Sequence, residues 1–190
     1  QATYDKYPYE SLKMPAYKAN DLDDVSTIAR NMANKEFFIT DNVLSKAERH
    51  PGSLYTFVKS YQAASDYADQ MVGRLLDKLD ATGEADNTII ILFSDHGYHL
   101  GDKESCVKFT LWEKANHVPF IVVAPGITKP GTVSSQPVSL LDIYPTLVDL
   151  CGLPPKDDID GRSLLSLLKD PSSTWEQPAL MTMGRGNHAI

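Results

Sequence analysis

The most constraining feature of the sequence is an unbroken, largely β-branched apolar run at residues 88–93. Such a run, without alternation of polar and apolar side chains, is typical of a strand covered on both faces. Just before it, apolar residues recur at three- and four-residue steps over residues 54–79, which predicts one long amphipathic helix. Ser53 can cap the start of this helix and Gly83 can end it, and Asp86-Asn87 predicts a turn into the strand.

A second apolar run covers residues 118–123 and is closed by Pro125-Gly126. Two covered strands, the first preceded by a helix, predict an α/β sheet that is covered by helices on both faces. Between these strands and the C-terminal part of the chain, residues 126–137 are rich in Gly, Thr, Lys, Pro and Ser, which predicts an exposed loop.

The remaining segments predict shorter helices. Residues 140–150 return to helical spacing, with Pro145 either in the first turn of a helix that starts near Asp142 or at a kink. A last short helix is expected at residues 164–168, before a polar tail that contains proline. Up to residue 51 the pattern predicts loops with one short helix near residues 23–34.

Composition excludes several classes of function. The chain has 190 residues, a formal net charge of -7 and a pI near 5.1, so it offers no broad basic surface for nucleic acid or anionic membrane. No apolar run reaches the roughly 18 residues that span a bilayer, and the first residues lack the features of a signal peptide. Cys106 and Cys151 are expected to be free thiols that pack rather than react.

The candidate chemistry lies where the first apolar run ends, at Ser94-Asp95-His96-Gly97. Ligands of α/β sheets bind at the carboxyl ends of strands. Asp95 and His96 offer one carboxylate and one imidazole there, either to a divalent cation or to a proton transfer. On spacing alone, an Asp that caps a turn beside a hydrogen-bonded His is an equally good interpretation.

This corner belongs to a longer segment, Ser94-Asp95-His96-Gly97-Tyr98-His99-Leu100-Gly101-Asp102, followed by Lys108, Trp112-Glu113 and His117-Val118-Pro119-Phe120. The segment closely resembles the metal-site segment of the sulfatase family, within the alkaline-phosphatase superfamily. The resemblance continues upstream through residues 67–76 and Asp86-Asn87-Thr88, and downstream through residues 141–147 and 160–164. The early residues Tyr4-Asp5-Lys6-Tyr7-Pro8 resemble a segment of the iduronate-2-sulfatase-like and choline-sulfatase-like branches, and the His at position 96 resembles the iduronate-2-sulfatase-like branch.

The resemblance implies an alkaline-phosphatase-like α/β sheet, here incomplete, and specific roles for four residues. It implies that Asp95 and His96 bind a metal ion, Ca²⁺ by preference with Mg²⁺ or Mn²⁺ as alternatives. It also implies that Lys108 faces the sulfate. His99, three residues beyond His96, is expected to line the substrate pocket or transfer a proton, with a surface histidine as the alternative. A divalent ion and a lysine together neutralise the charge that develops as the S–O bond breaks.

Two parts of the family pattern are missing from the chain. The family's nucleophile is a formylglycine made from the first residue of a Cys/Ser-x-Pro/Ala-x-Arg motif, and neither Cys106, Cys151 nor any serine begins such a motif. The paired aspartates that complete the metal shell are also missing. We therefore expect residues 1–190 to be the second half of a sulfatase catalytic domain and to be inactive alone.

By the same resemblance, the parent protein is expected to be periplasmic or secreted and to cleave sulfate esters of a small molecule or carbohydrate. Two rival hypotheses remain open. One is a phosphodiesterase or phosphonate monoester hydrolase of the same superfamily, which shares Asp-His-Gly after a buried strand. The other is a non-catalytic binding or structural domain on this scaffold, although Asp95 and Lys108 are both present.

Overall fold

The structure is a computed structural model that describes residues 1–33, 53–106 and 108–190. The chain forms two compact units, and residues 95 and 96 are one of the three places where it passes from one to the other, beside 83/84 and 117/118. The helical unit consists of residues 1–83 and 96–117, and the sheet unit of residues 84–95 and 118–190. Part of the loop region predicted before residue 51, with the end of its helix, lies outside the described residues.

The helical unit is dominated by one long helix. Its elements are α1 (Ala2–Asp5), a 3-10 turn (Tyr9–Ser11), α2 (Thr27–Ala33), α3 (Leu54–Thr82), a 3-10 turn (Asp102–Glu104) and α4 (Glu113–Asn116). The Ser53 hydroxyl accepts a hydrogen bond from the Thr56 amide at the start of α3, and Gly83 ends the helix with a φ of 74°. Both ends of α3 confirm the capping prediction, because each depends on a local signal.

A small core packs under the N-terminal half of α3. Leu54, Val58 and Cys106 are buried together, with Met14, Phe57 and Leu100 packed against them. The same half of α3 buries Lys59, whose ammonium lies 4.1 Å from the ring centroid of Tyr4 and 4.7 Å from that of Tyr9. These cation–π contacts attach the N-terminal segment to α3.

The sheet unit contains two small antiparallel sheets. Its elements are a 3-10 turn (Ala85–Asn87), β1 (Ile90–Phe93), β2 (Phe120–Val123), a 3-10 turn (Leu140–Asp142), α5 (Ile143–Leu150), α6 (Leu165–Lys169), β3 (Met181–Thr182) and β4 (His188–Ala189). β1 pairs with β2 in the register Ile90 to Val123, and β3 pairs with β4. Pro145 lies in the first turn of α5, as one of the two alternatives predicted.

The two predicted strands exist, but they are not covered on both faces. Leu92 is 39% exposed and Phe93 47%, and on β2 Ile121 is 51% exposed. In the described part of the chain their sheet has two strands, so each strand has one paired edge and incompletely covered faces. The apolar composition of the two strands therefore predicted that their residues favour burial. It did not predict how much of their surface this chain covers.

The segment after α5 docks on the turn that precedes it. The buried Asp142 carboxylate accepts hydrogen bonds from the Ser139 amide at 2.8 Å and the Arg162 amide at 2.9 Å. A Cβ at Gly161 would collide with the Leu141 carbonyl, so only glycine allows this approach. The two downstream motifs of the sequence thus meet in one joint. Among the described residues, no helix has both the length and the apolar character that crossing a bilayer requires.

Candidate functional site

The corner after β1 is held by close backbone contacts. In the sheet unit, the Ser94 amide donates to the Pro119 carbonyl at 3.2 Å, and the exposed Asp95 ends the segment. In the helical unit, the Gly97 amide donates to the Ala115 carbonyl at 2.8 Å. A Cβ at Gly97 would collide with the Lys114 carbonyl, so glycine is required for the chain to approach α4. The backbone therefore fixes the position of His96 within the helical unit.

His96 is held in a defined tautomer. Its Nδ1 lies 3.0 Å from the Gly97 carbonyl oxygen, which can only accept, so Nδ1 carries the proton. Nε2 is then left with its lone pair, and the Lys108 ammonium donates to it at 2.6 Å. Metal-binding histidines share one half of this arrangement, since one of their ring nitrogens donates to a carbonyl; here Lys108 occupies the side of the other nitrogen.

Lys108 reaches His96 from a short irregular segment. The segment follows the buried Cys106, and two residues after Lys108 the Thr110 amide donates to the Lys108 carbonyl at 2.8 Å. The Lys108 ammonium also lies 5.5 Å from the ring centroid of Phe109. The structure thus brings together two of the four predicted site residues, His96 and Lys108. Asp95 is linked to them by its peptide bond to His96.

His99 is buried rather than facing solvent. Its side chain is 0% exposed, its Nε2 lies 2.6 Å from the Thr110 hydroxyl, and its ring packs edge-on against Trp112 at 5.8 Å. Nδ1 lies 3.5 Å from the nearest Asp102 carboxylate oxygen and has no hydrogen bond among the described residues. Burial lowers the pKa of His99, and the Asp102 carboxylate only partly opposes this. The predicted role of His99 at the substrate stays a prediction, and its observed partner is Thr110.

Sequence reasoning missed Thr110 altogether. The residue joins His99 to the segment that carries Lys108, because its hydroxyl bonds the ring and its amide bonds the Lys108 carbonyl. A threonine two residues after a lysine forms no recognisable motif, so no local signal could have identified it.

The loop between His99 and Lys108 has a strained backbone. Leu100, Lys103 and Glu104 have φ values of 49°, 50° and 52°, in the left-handed region that side chains disfavour. The Lys103 ammonium is held by Asp21 at 3.2 Å and Asp24 at 3.0 Å. Burial raises the pKa of Asp21, but hydrogen bonds from Lys103 and Lys18 outweigh it and bring the pKa below its usual value. These contacts hold the loop in its unusual conformation.

The residues present fit part of a metal site. A carboxylate and an imidazole whose Nε2 carries the lone pair are donor types that suit a divalent cation. Within the described residues, however, no group of three or more His, Cys, Asp or Glu side chains is arranged to hold a metal ion. Calcium takes about six to eight oxygen ligands, so the two candidate ligands would be a minority of a complete shell.

Both cysteines are free thiols, as predicted. Cys106 is buried in the core of the helical unit, and burial raises its pKa to about 11. A thiol with such a pKa is almost entirely protonated at neutral pH and is a poor nucleophile. Cys151 is exposed at the end of α5.

Comparison with known proteins finds one family that is similar to most of this chain. The family model described as Sulfatase matches residues 5–153. A sulfatase of Formosa agariphila is 33% identical over all 190 residues, which cover 36% of that relative. An N-acetylglucosamine-6-O-sulfatase of Bacteroides thetaiotaomicron is 34% identical over 126 residues, 65% of this chain and 23% of the relative. The chain therefore spans about a third, or less, of the length of these relatives.

Solved structures give the same result. A structure in complex with its substrate D-glucosamine-2-N,6-O-disulfate matches with a TM-score of 0.63 and 30% identity, over 72% of this chain and 29% of that one. A putative sulfatase of Bacteroides thetaiotaomicron matches with a TM-score of 0.64 at 22% identity, over 90% of this chain and 37% of that one, and supports the fold alone. These structures have the α/β fold of the sulfatases, which confirms the predicted fold class. This chain forms part of that fold and contains small sheets. From the match over residues 5–153 and the relatives that share it, the chain belongs to the sulfatase family.

Proposed function

We propose that the chain supplies metal-binding and sulfate-binding residues to a sulfuric-ester hydrolase. The observation that supports this most directly is the Lys108 ammonium, 2.6 Å from His96 Nε2 at the corner that follows β1. A lysine at this place offers an anionic ester three N–H donors and a full positive charge. In a partly desolvated site, such a charge stabilises the negative charge that develops on the sulfate oxygens.

We further propose that Asp95 and His96 bind a divalent cation, with Ca²⁺ favoured over Mg²⁺ or Mn²⁺. The bound ion would supply Lewis-acid polarisation of the sulfate group. The Gly97 carbonyl orients the His96 ring so that Nε2 carries the lone pair, which the Lys108 ammonium contacts and which a metal ion would take over by displacing it. The remaining ligands would come from outside the two residues named, because the described part of the chain contains no cluster that completes the shell.

The nucleophile is proposed to lie outside this chain. No cysteine or serine here begins the family's formylglycine motif, and Cys106 is a buried thiol with a pKa of about 11. We propose that residues 1–190 are the second half of a catalytic domain within a longer parent protein, and that formylglycine is formed in the first half. The chain alone would then bind anions weakly and would not turn over sulfate esters.

The proposed substrate is a sulfated carbohydrate. One relative is named as an N-acetylglucosamine-6-O-sulfatase, and one similar structure is in complex with a disulfated glucosamine. We propose a periplasmic or secreted parent protein, on the basis of the resemblance to the sulfatase family. The net charge of -7 leaves no broad basic surface for nucleic acid or an anionic membrane, so an anionic substrate would be held by local charges such as that of Lys108.

Matched esters test this function. The parent protein should hydrolyse N-acetylglucosamine 6-sulfate and 4-nitrophenyl sulfate, whereas the isolated chain should hydrolyse neither. Lys108→Met should lower kcat/KM about 10²- to 10³-fold, as loss of one charge-stabilising donor does. Lys129→Met, which removes an exposed loop lysine, is the control and should change it less than twofold.

Two results would contradict the proposal. Faster turnover of the matched phosphate esters would favour a phosphodiesterase or phosphonate monoester hydrolase. A parent protein that binds neither Ca²⁺ nor inorganic sulfate in calorimetric titrations would favour a non-catalytic domain.

A further inference from the structure

We infer that the buried His99 and the partly buried Thr110 form a pair that positions Lys108, so that both residues act on the ester through the lysine and without touching it. This inference rests on the proposed function, in which Lys108 faces the sulfate. It assigns His99 a place in the reaction that differs from contact with the substrate. It also assigns a role to Thr110, which no motif in the sequence identifies.

The first step is the burial of His99. A ring that is 0% exposed and packed edge-on against Trp112 is shielded from a substrate that approaches through solvent. Its close polar contact is the one from Nε2 to the Thr110 hydroxyl, at 2.6 Å. Burying an imidazole is costly unless its nitrogens are hydrogen-bonded, so this contact has a strong energetic reason to persist.

The second step is the pair of contacts at the Thr110 hydroxyl. Its oxygen accepts from the Trp112 amide at 3.4 Å and lies 2.6 Å from His99 Nε2. His99 Nδ1 lies 3.5 Å from the nearest Asp102 carboxylate oxygen. Burial lowers the pKa of His99, so the buried ring favours its neutral form. The Thr110 hydroxyl therefore joins the His99 ring to the chain that follows Lys108.

The third step links the pair to Lys108. The Thr110 amide donates to the Lys108 carbonyl at 2.8 Å, and the buried Cys106 lies two residues before the lysine. The segment that carries Lys108 is thus fixed on both sides, by a core residue and by the threonine that His99 holds. The lysine ammonium is directed at His96 Nε2 from this fixed backbone. Loss of the Thr110 hydroxyl would free one side and allow the ammonium to move.

Catalysis is sensitive to such movement, because a shift of about 1 Å in a charge-stabilising group can cost on the order of 10²-fold in rate. In the parent protein, we expect Thr110→Val to lower kcat/KM about 10- to 100-fold, the range typical of residues that orient a functional group. Thr110→Ser, which keeps the hydroxyl, should recover activity to within about threefold of the wild type. Thr128→Val is the control, since its hydroxyl also bonds a loop backbone, at Ala124.

A double-mutant cycle separates positioning from a purely structural role. If Thr110 acts through Lys108, Thr110→Val should have no further effect once Lys108→Met is present, so the two effects should not add. Additive effects would overturn the inference. Equal losses in Thr110→Ser and Thr110→Val would overturn it as well. Urea unfolding of each variant checks that the protein remains folded under assay conditions.

The same cycle can be measured without turnover, from the affinity for inorganic sulfate in calorimetric titrations. A non-additive cycle in a protein that hydrolyses no sulfate ester would contradict the proposed function and leave the positioning pair intact. An additive cycle in an active sulfatase would contradict the positioning pair alone. The two proposals therefore fail by different results.

Discussion

At the scale of single residues, the lone pair of His96 Nε2 can have only one partner at a time. The Gly97 carbonyl holds the proton of the ring on Nδ1, and the Lys108 ammonium occupies the Nε2 side at 2.6 Å. A metal ion bound through Nε2 would need the same lone pair and would repel the ammonium. The proposed metal ion and Lys108 therefore compete for His96 Nε2. This competition ends when the lysine turns toward an anion such as the sulfate group.

This competition predicts the effect of Lys108 on metal affinity. In the parent protein, Lys108→Met should tighten Ca²⁺ binding about three- to tenfold, because it removes a positive charge from the site of the ion. Lys108→Arg keeps the charge and should stay within about twofold of the wild type, as should Lys129→Met in the exposed loop after β2. Calorimetric titration with CaCl₂ measures all four proteins. Weaker binding in Lys108→Met would show that the lysine supports the metal site instead of competing with it.

At the scale of elements, the sequence predicted best what local signals control. The bounds of α3 follow from Ser53 and Gly83, and the position of Pro145 follows from its fixed φ, so both were predictable. The hairpin of β3 and β4 was missed, because two-residue strands in a polar tail carry no periodic pattern. The contact between His99 and Thr110 spans 11 positions, and no periodic pattern encodes it.

The joint between the turn before α5 and the segment that precedes α6 also depends on a residue that looks ordinary in the sequence. Asp142 is buried, and its carboxylate accepts hydrogen bonds from the Ser139 and Arg162 amides. Hydrogen bonds to a charged acceptor are stronger than neutral ones, and a buried amide left without a partner is costly. The Asp in this family motif therefore has a structural function at this position.

For this joint, we expect Asp142→Asn to lower the free energy of unfolding by about 1.5 to 3 kcal/mol, since one carboxylate oxygen becomes an NH₂ group that faces an amide N–H. Asp149→Asn on the same helix α5 removes an exposed carboxylate and should change it by less than about 0.5 kcal/mol. Urea unfolding followed by circular dichroism compares the two variants. Equal effects would mean that the two amide contacts of Asp142 contribute little to stability.

At the scale of the whole molecule, the sequence could not predict which other parts of the protein pack against each element. The apolar composition of β1 and β2 predicted strands with both faces covered, yet Phe93 is 47% exposed and Ile121 is 51% exposed. The two candidate metal ligands were likewise recognisable at the end of β1, whereas the described residues hold no further cluster to complete the shell. In both cases a local sequence pattern indicated surroundings that the described residues do not supply: a cover for the strands and further ligands for the metal ion. The proposal of a longer parent protein agrees with both observations.

The stability of the molecule should also depend on pH through its buried histidine. Burial lowers the pKa of His99, so the folded protein resists a proton that the unfolded chain accepts near pH 6.5. The stability that a neutral His99 contributes is fully present above about pH 6.5 and is lost as the pH falls toward the lower folded pKa. One proton gives a slope of at most about 1.4 kcal/mol per pH unit.

We therefore expect the free energy of unfolding to fall between pH 7 and pH 5, and His99→Gln to remove most of this slope while it lowers stability at pH 7. His117→Gln, which removes an exposed histidine paired with Glu113, is the matched control and should keep the slope. The lowered pKa of Asp21 adds a separate loss only below about pH 4, because that carboxylate is protonated in the unfolded chain first. Urea titrations at half-unit pH steps measure the three proteins, and a slope unchanged in His99→Gln would assign it to other groups.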